Sequence, residues 1–219
     1  MGFYQNTCKP EGLGGKLMTQ IMNGGHHAKL AEWGFSFLTV PTDANILDAG
    51  CGGGANLARW LERCPEGHVT GLDYSAVSVE TAQKYNRQAI ADGRCAVVQG
   101  NVAELPFEDD TFDVVSAFET VYFWPGLEDC FAEVLRVLKP GGLFFLCNET
   151  DGKNPELEAQ WMKKIQGMQV YNKEQLRSAL SAAGFPRAEG HANPELHWLC
   201  LIAKKKWTTS PVRLGGGCC

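Results

Sequence analysis

The chain has 219 residues and a formal net charge of −5; 44% of its residues are hydrophobic and 21% are charged. This composition predicts one globular domain with a sizeable core rather than a disordered chain. The negative charge argues against a nucleic-acid partner, and no apolar stretch approaches the roughly 18 residues of a membrane span. The N-terminus lacks the basic and apolar regions of a signal peptide, so we expect a cytoplasmic protein with free thiols.

Residues 1–40 are expected to form a helical cover or lid over the rest of the chain. Glycines punctuate this region, and short helices are expected over 16–22 and 27–38. His26 and His27 follow two glycines in a bend between these helices, where either can act as a base near neutral pH. Exposed loop histidines are the alternative interpretation, and Tyr4 is a weaker lid candidate.

From residue 41 onward, apolar strands alternate with helices. Strands are expected at 46–49, 69–73, 96–98, 112–118 and 143–147. The helices between them cover 55–63, a segment reaching about residue 90, and 127–138, the last of which ends at Lys139-Pro140-Gly141-Gly142. Because the strands are apolar throughout rather than alternating, we expect a parallel sheet that is buried on both faces.

The last part of the domain predicts a reversed strand. Asn172 to Gln175 has the form of a capping box, which opens a helix that ends near Gly184. Strands at 187–191 and 198–203 are joined only by a loop, so they must be antiparallel neighbours. The prediction is an α/β fold, a three-layer Rossmann-like sandwich with a seven-stranded, mostly parallel sheet whose last strand is antiparallel. Residues 41–207 would form this domain, and 208–219 a flexible Gly/Cys tail.

Nine cysteines are present, but their spacing predicts no metal site. There is no Cys-x-x-Cys pair, and no histidine pair has zinc-finger spacing. Cys147 and Cys200 lie in apolar runs and are expected to be buried as small hydrophobic residues. Cys218 and Cys219 end the glycine-rich tail, where adjacent thiols can hold a soft metal or metalloid ion; an inert tail is the alternative.

A glycine-rich loop, Asp48 to Gly54, lies between the first strand and its helix. Glycines there allow a tight turn and bring the backbone close to a ligand, and the loop also fits the dinucleotide pattern G-x-G-x-x-A. Asp48 is a poor neighbour for a pyrophosphate but a good one for a cation. Asp73, at the end of the second strand, can accept both hydroxyls of a ribose. A ligand with a ribose, a positive charge and no phosphate is S-adenosylmethionine.

Five segments in order carry a resemblance to a known family. They are ILDAGCGGG (46–54), GLDYS (71–75), GNVAELPF (100–107), FDVVSAFETVYFWP (112–125) and EVLRVLKPGG (133–142). Over residues 44–150 the chain resembles class I S-adenosylmethionine-dependent methyltransferases of the small-molecule, ubiquinone-biosynthesis-like group (type 11). The resemblance implies S-adenosylmethionine as the methyl donor and S-adenosylhomocysteine as the product.

The resemblance also implies a set of cofactor-binding residues. It places Gly50, Gly52 and Gly54 around the methionine part, Asp73 on the ribose, and Asn101 with its neighbour on the adenine. The family commonly has Asp at position 101, but the Asn carbonyl can still accept a hydrogen bond from the adenine amino group. The expected cofactor residues are Asp48, Gly50, Cys51, Gly52, Gly54, Asp73, Tyr74, Ser78, Asn101, Val102, Ala117, Phe118 and Glu119.

Methyl transfer is an in-line displacement that depends on alignment and exclusion of water more than on a catalytic dyad. Relatives often carry a catalytic histidine where Phe123 stands, and this departure weakens the analogy with quinone methyltransferases. Aromatic side chains here can stabilise the sulfonium or pack a flat acceptor; plain core packing is the alternative. The candidate catalytic residues are Glu119, His26, His27 and Tyr122.

The sequence therefore predicts an S-adenosylmethionine-dependent methyltransferase that acts on a small-molecule acceptor by in-line transfer. We expect no nucleic-acid partner, no membrane span, no resident metal, and a monomer or homodimer. Three rivals remain open. They are a catalytically silent S-adenosylmethionine-binding protein, an enzyme that captures arsenite with Cys218 and Cys219 for methylation, and a nicotinamide-dependent reductase.

Overall fold

A computed structural model describes residues 3–207 of the chain. The predicted tail at 208–219, with Cys218 and Cys219, lies outside the described residues. Continuous apolar segments form the strands of one sheet, as their composition predicts. The strands are β1 (Asn45–Ala49), β2 (His68–Asp73), β3 (Cys95–Gln99), β4 (Phe112–Phe118), β5 (Leu138–Asn148), β6 (Ala188–Asn193) and β7 (Trp198–Lys204).

The seven strands lie in the order β3-β2-β1-β4-β5-β7-β6. Strands β1 to β5 pair with one another in parallel, whereas β7 pairs antiparallel with both β5 and β6. The predicted α/β fold, a mostly parallel seven-stranded sheet with its last strand reversed, is confirmed. Chain order changes direction between β1 and β4, and ligands bind at such switch points beyond the carboxyl ends of the strands.

Eight α-helices among the described residues flank this sheet. They are α1 (Gly12–Met22), α2 (Gly25–Phe35), α3 (Ala55–Arg63), α4 (Ala76–Tyr85), α5 (Arg87–Ala91), α6 (Leu127–Val137), α7 (Pro155–Lys164) and α8 (Lys173–Ala182). None of these helices is both long and apolar enough to cross a membrane.

Alternate residues of the central strands enter two separate apolar clusters, one on each face of the sheet. On β5, Phe144 packs with α6 and α8 on one face, whereas Phe145 packs with α2 and α3 on the other. Helix α2 contributes Leu30 and Phe35 to the second cluster. The second helix of the expected N-terminal cover is therefore part of the hydrophobic core.

The structure corrects several predicted element bounds. His26 and His27 lie in the first turn of α2 rather than in a bend. The helix expected to reach residue 90 is interrupted at Asn86, because the buried Asn86 side chain donates hydrogen bonds to the Gly54 and Ala82 carbonyls. Helix α7 lies between β5 and α8, where the sequence signals predicted no element.

The boundary between α6 and β5 also differs from the prediction. Helix α6 ends at Val137, and the Lys139-Pro140-Gly141-Gly142 segment belongs to β5 rather than to a turn. Leu138 pairs with Phe112, and after an irregularity in register Leu143 pairs with Val114. Lys139 to Gly142 therefore form an irregular stretch within a strand. Proline and glycine after a helix signal its end, but they do not show whether a loop or such a stretch follows.

Candidate active site

The glycine loop turns sharply after β1. Gly50, Gly52 and Gly54 all have positive φ, at 84°, 52° and 85°. The backbone N–H groups of Gly50 and Cys51 both donate to the Leu72 carbonyl, at 2.7 and 3.0 Å, which ties the loop to β2. At Gly50 a Cβ atom would overlap the Thr120 side chain, so glycine is required there for space as well as for conformation.

Asp73 ends β2 and is held by the loop. Its Oδ2 accepts a hydrogen bond from the Gly52 N–H and its Oδ1 from the Ser75 N–H, both at 2.9 Å. The side chain is buried, and this burial raises the pKa of Asp73, while the two N–H donors oppose the rise. Each carboxylate oxygen keeps a further lone-pair direction, so the fixed carboxylate can still accept from a ligand hydroxyl.

A cavity of about 400 Å³, here called the first cavity, lies at the carboxyl ends of β1, β2 and β4. Most of the predicted cofactor residues line it: Gly50, Gly52, Asp73, Tyr74, Ser78, Asn101, Val102, Phe118 and Glu119. At its rim, Asn101 Oδ1 accepts a hydrogen bond from the Ala103 N–H at 3.1 Å, so part of its acceptor capacity is already used.

Four predicted cofactor residues do not line the first cavity: Asp48, Cys51, Gly54 and Ala117. Asp48 is buried beneath the loop, where its Oδ1 accepts a 2.6 Å hydrogen bond from the Ser116 hydroxyl. Burial raises the pKa of Asp48 to about 7. Burial also raises the pKa of the Cys51 thiol, so this cysteine is an unreactive packing residue.

The N-terminal segment closes over the first cavity, and the sequence did not identify the residues that do so. Thr7, Cys8, Pro10 and Thr19 line it. The Tyr74 hydroxyl donates to the Cys8 carbonyl at 2.9 Å, and the Ser75 hydroxyl donates to the Pro10 carbonyl at 2.6 Å. Both hydroxyls after β2 thus bind backbone carbonyls of the N-terminal segment. No sequence motif marks these carbonyls.

A second cavity of about 210 Å³ adjoins the first. The two share three lining residues: Thr7, Glu119 and Phe123. The remaining wall is mostly apolar and comes from α1, α2, the segments after β4 and β5, α7 and the segment after α7. It consists of Met18, Ile21, His27, Tyr122, Glu149, Trp161, Ile165 and Met168. No lysine or arginine among the described residues lines this cavity.

Glu119 lies where the two cavities meet, just after β4, with a φ of 60°. Its Oε1 accepts hydrogen bonds from the Glu149 N–H and from the Tyr122 hydroxyl, the latter at 3.5 Å. Burial and, next, the neighbouring Glu149 carboxylate raise the pKa of Glu119 well above its usual range. Tyr122 is itself fixed, since its hydroxyl accepts from the Thr150 N–H at 3.3 Å.

The two histidines differ in position. His27 lines the second cavity, with its Nδ1 3.9 Å from Glu119 Oε2, and burial lowers the pKa of His27. His26 lines neither cavity. Its Nε2 accepts a hydrogen bond from the Trp198 indole at 3.3 Å and lies 3.5 Å from Glu149 Oε2. The structure thus brings Glu119, His27 and Tyr122 together at the second cavity, whereas His26 lies outside it.

Fold and site together define a class. A glycine loop after β1, a carboxylate at the end of β2 and a cavity across the switch point are the features of a class I S-adenosylmethionine-dependent methyltransferase domain. Residues 47–146 match the family described as "Methyltransferase domain". The predicted resemblance to a methyltransferase domain is therefore confirmed over these residues.

Curated relatives match about half of this chain. Squalene methyltransferase 1 of Botryococcus braunii is 38% identical over 119 residues, which are 54% of this chain and 30% of the relative. 24-Methylenesterol C-methyltransferase 2 of Oryza sativa subsp. japonica is 40% identical over 119 residues, 54% of this chain and 31% of the relative. The chain thus spans about a third of the length of these relatives.

Solved structures share the fold over most of the chain. A chain of the complex between the Haloferax volcanii Trm112 methyltransferase activator and a methyltransferase has a TM-score of 0.78 and 20% identity, with 88% of this chain and 95% of that chain covered. A geranyl diphosphate methyltransferase in complex with GPP and sinefungin has a TM-score of 0.66 and 17% identity, covering 81% and 77%. At these identities the likeness concerns the fold alone.

Proposed function

We propose that the chain transfers a methyl group from S-adenosylmethionine to a small, mostly apolar acceptor that carries no negative charge. The supporting observation is the pair of adjoining cavities, which share Thr7, Glu119 and Phe123. The donor would occupy the first cavity and the acceptor the second. An in-line displacement needs this arrangement, because nucleophile, methyl group and sulfur must lie on one line with water excluded.

The character of the acceptor follows from the wall of the second cavity. Methionine, isoleucine and tryptophan side chains favour an apolar body. The described residues that line the cavity include no lysine or arginine that could pair with a phosphate or carboxylate group, and the acidic Glu119 and Glu149 face it, which disfavours an anionic acceptor. Two of the relatives are named for apolar acceptors, squalene and 24-methylenesterol. The structural neighbour bound to GPP is named for an anionic acceptor, geranyl diphosphate.

Individual residues take separate roles in this proposal. Asp73 holds the ribose, the glycine loop lies against the methionine part, and Asn101 with Val102 flanks the adenine. Glu119 contacts the reacting end of the acceptor, with His27 beside it. Tyr122 keeps Glu119 oriented through its hydroxyl.

The test measures transfer of a labelled methyl group from S-adenosylmethionine to matched acceptors of opposite charge. Neutral isoprenoid alcohols and alkenes are compared with the corresponding prenyl diphosphates. We expect labelled product from neutral acceptors and at least tenfold lower turnover with diphosphates. Preferential methylation of the diphosphates would overturn the proposed acceptor class.

Calorimetric titration separates this proposal from its rivals. Tight binding of NADH without binding of S-adenosylmethionine would support a reductase instead. Cofactor binding with no product from any acceptor would favour a catalytically silent binding protein. An arsenite-methylating enzyme would lose activity on deletion of residues 215–219, whereas turnover of an organic acceptor should persist.

We further propose that the enzyme acts without a nucleic-acid partner, in the cytoplasm, as a monomer or homodimer. The support is compositional: the net charge is −5, which disfavours a nucleic-acid partner. The proposed organisation has a cover at residues 1–40, the methyltransferase domain at 41–207 and a tail at 208–219. Sedimentation of the purified chain tests the oligomeric state.

A further inference from the structure

We infer that His27, Glu119 and Glu149 bind a divalent transition-metal ion at the junction of the two cavities. Each residue offers one ligand atom, and these atoms all lie within 4.8 Å of one another. Metal–ligand bonds of about 2.0–2.2 Å place neighbouring ligand atoms about 3–4 Å apart. The three side chains therefore need to approach by about 1 Å, which changes in side-chain torsion can provide.

Glu119 supplies the strongest indication of a missing partner. Its side chain is 9% exposed, and its Oε1 already accepts from the Glu149 N–H and the Tyr122 hydroxyl. Its Oε2 faces His27 at 3.9 Å, beyond hydrogen-bond distance, and the other side chain that its carboxyl group meets is the carboxyl group of Glu149. A carboxyl group that is fixed by N–H and O–H donors, and that faces a second carboxyl group and an imidazole beside a cavity, has the form of a metal ligand oriented by its neighbours.

Glu149 also lacks a full positive partner. His26 Nε2 lies 3.5 Å from Glu149 Oε2, but that nitrogen accepts a hydrogen bond from the Trp198 indole N–H. A nitrogen that accepts in this way cannot donate its own proton to Glu149. Two carboxylates consequently converge on one imidazole with no lysine or arginine among the described lining residues, and a divalent cation would balance their charge.

The ligand set indicates the type of metal. One imidazole and two carboxylates suit Mn²⁺, Fe²⁺, Co²⁺ or Zn²⁺ rather than a soft ion that prefers thiolates. With three protein ligands, further coordination positions stay open toward the second cavity. Given the proposed function, the ion, whose two positive charges the two carboxylates balance, would hold a neutral oxygen or nitrogen of the acceptor next to the methyl donor. The role of the ion thus rests on the proposed function, whereas its binding does not.

The test is titration of the full-length, chelator-treated protein with Co²⁺, followed by calorimetry and visible absorption. Co²⁺ reports its ligands, since nitrogen and oxygen ligation gives d–d bands without the near-ultraviolet thiolate band that binding to cysteines would add. We expect one Co²⁺ per chain with such a spectrum. Binding should weaken at least tenfold in Glu149→Gln and in His27→Ala, while the affinity for S-adenosylmethionine stays unchanged.

Glu189→Gln is the matched control, because Glu189 forms a comparable pair with His191 at 3.4 Å on β6, away from both cavities. It should leave Co²⁺ binding unaltered. Absence of Co²⁺ binding, a thiolate spectrum, or equal affinity in all variants would overturn the site. If methyl transfer proceeds in protein that binds no Co²⁺, the metal site fails and the proposed function stands. If Co²⁺ binds but no acceptor is methylated, the proposed function fails and the site stands.

Discussion

The two cavities are built in different ways. Residues at the ends of β1, β2 and β4 form most of the first cavity, and short contiguous motifs encode them. The second cavity combines α1, α2, the segment after β4, the end of β5 and α7, which are far apart in sequence. One chain thus carries a cofactor side specified by local motifs and an acceptor side specified by tertiary packing. Substitutions on the two sides should have separable effects.

The largest effect is expected from crowding the glycine loop. Gly50→Ala combines a φ of 84° with overlap against Thr120, and should lower the free energy of unfolding by about 2–5 kcal/mol. Gly52→Ala is the matched control, because its φ is 52° but a Cβ atom there would have nothing within 4 Å. It should lower stability by about 1–2 kcal/mol. Chemical denaturation measures both, and equal losses would show that contact with Thr120 is unimportant.

Removal of the carboxylate that we propose for the ribose should weaken cofactor binding. Asp73→Ala deprives two ribose hydroxyls and the Gly52 and Ser75 N–H groups of their acceptor. We expect the Kd for S-adenosylmethionine to rise at least tenfold, which corresponds to about 1.5–3 kcal/mol. Asp73→Asn keeps an acceptor and should show a smaller loss. Unchanged affinity in Asp73→Ala would mean that the ribose binds elsewhere.

The pH dependence of stability offers a third test on the cofactor side. Because burial raises the pKa of Asp48 to about 7, the folded protein retains this proton after the unfolded chain has lost it. Stability therefore falls as pH rises from about 4 toward 7, by about 1.5 kcal/mol between pH 5.5 and 7 from this group. Asp48→Asn should remove that part of the decline in the ligand-free protein. Parallel stability curves for the two proteins would contradict the assignment.

The smallest expected effect probes the acceptor side. Trp161→Ala removes an aromatic wall of the second cavity and should raise the KM for an apolar acceptor about tenfold, or about 1.4 kcal/mol. The Kd for S-adenosylmethionine should not change. Leu157→Ala is the control, since Leu157 lies on the same helix, is exposed and lines neither cavity. A shift in both constants for Trp161→Ala would show that the two sides are energetically coupled.

The same contrast explains what the sequence could predict. The mostly parallel sheet, its reversed last strand and the positions of Asp73 and the glycine loop follow from local patterns: apolar runs, turn residues and family spacing. The sequence did not predict that Thr7, Cys8 and Pro10 line the first cavity. Cys8 and Pro10 are held by their backbone carbonyls, which accept from Tyr74 and Ser75, and no sequence pattern marks such an acceptor. Helix α7 was missed because its apolar residues are sparse, although Asn154 before Pro155 is a start signal.

Buried contacts account for the remaining differences. Asp48 has a suitable residue type at a suitable place in the loop, but its bond to Ser116 directs it under the loop rather than into the first cavity. The partnership of His27 with Glu119 spans 92 positions and depends on how α2 packs against β5. Periodicity reports which face of a helix is buried, but it does not report which residue of another element that face meets.

The placement of β7 between β5 and β6 has a consequence for biosynthesis. As the chain leaves the ribosome, β6 emerges before the only described strand with which it pairs, and the apolar edge of β5 stays open until residues 198–204 follow. Nascent chains that stop short of this point expose a strand edge that can recruit other chains. A chain released before the β6–β7 hairpin docks should therefore be more prone to aggregation than the complete domain.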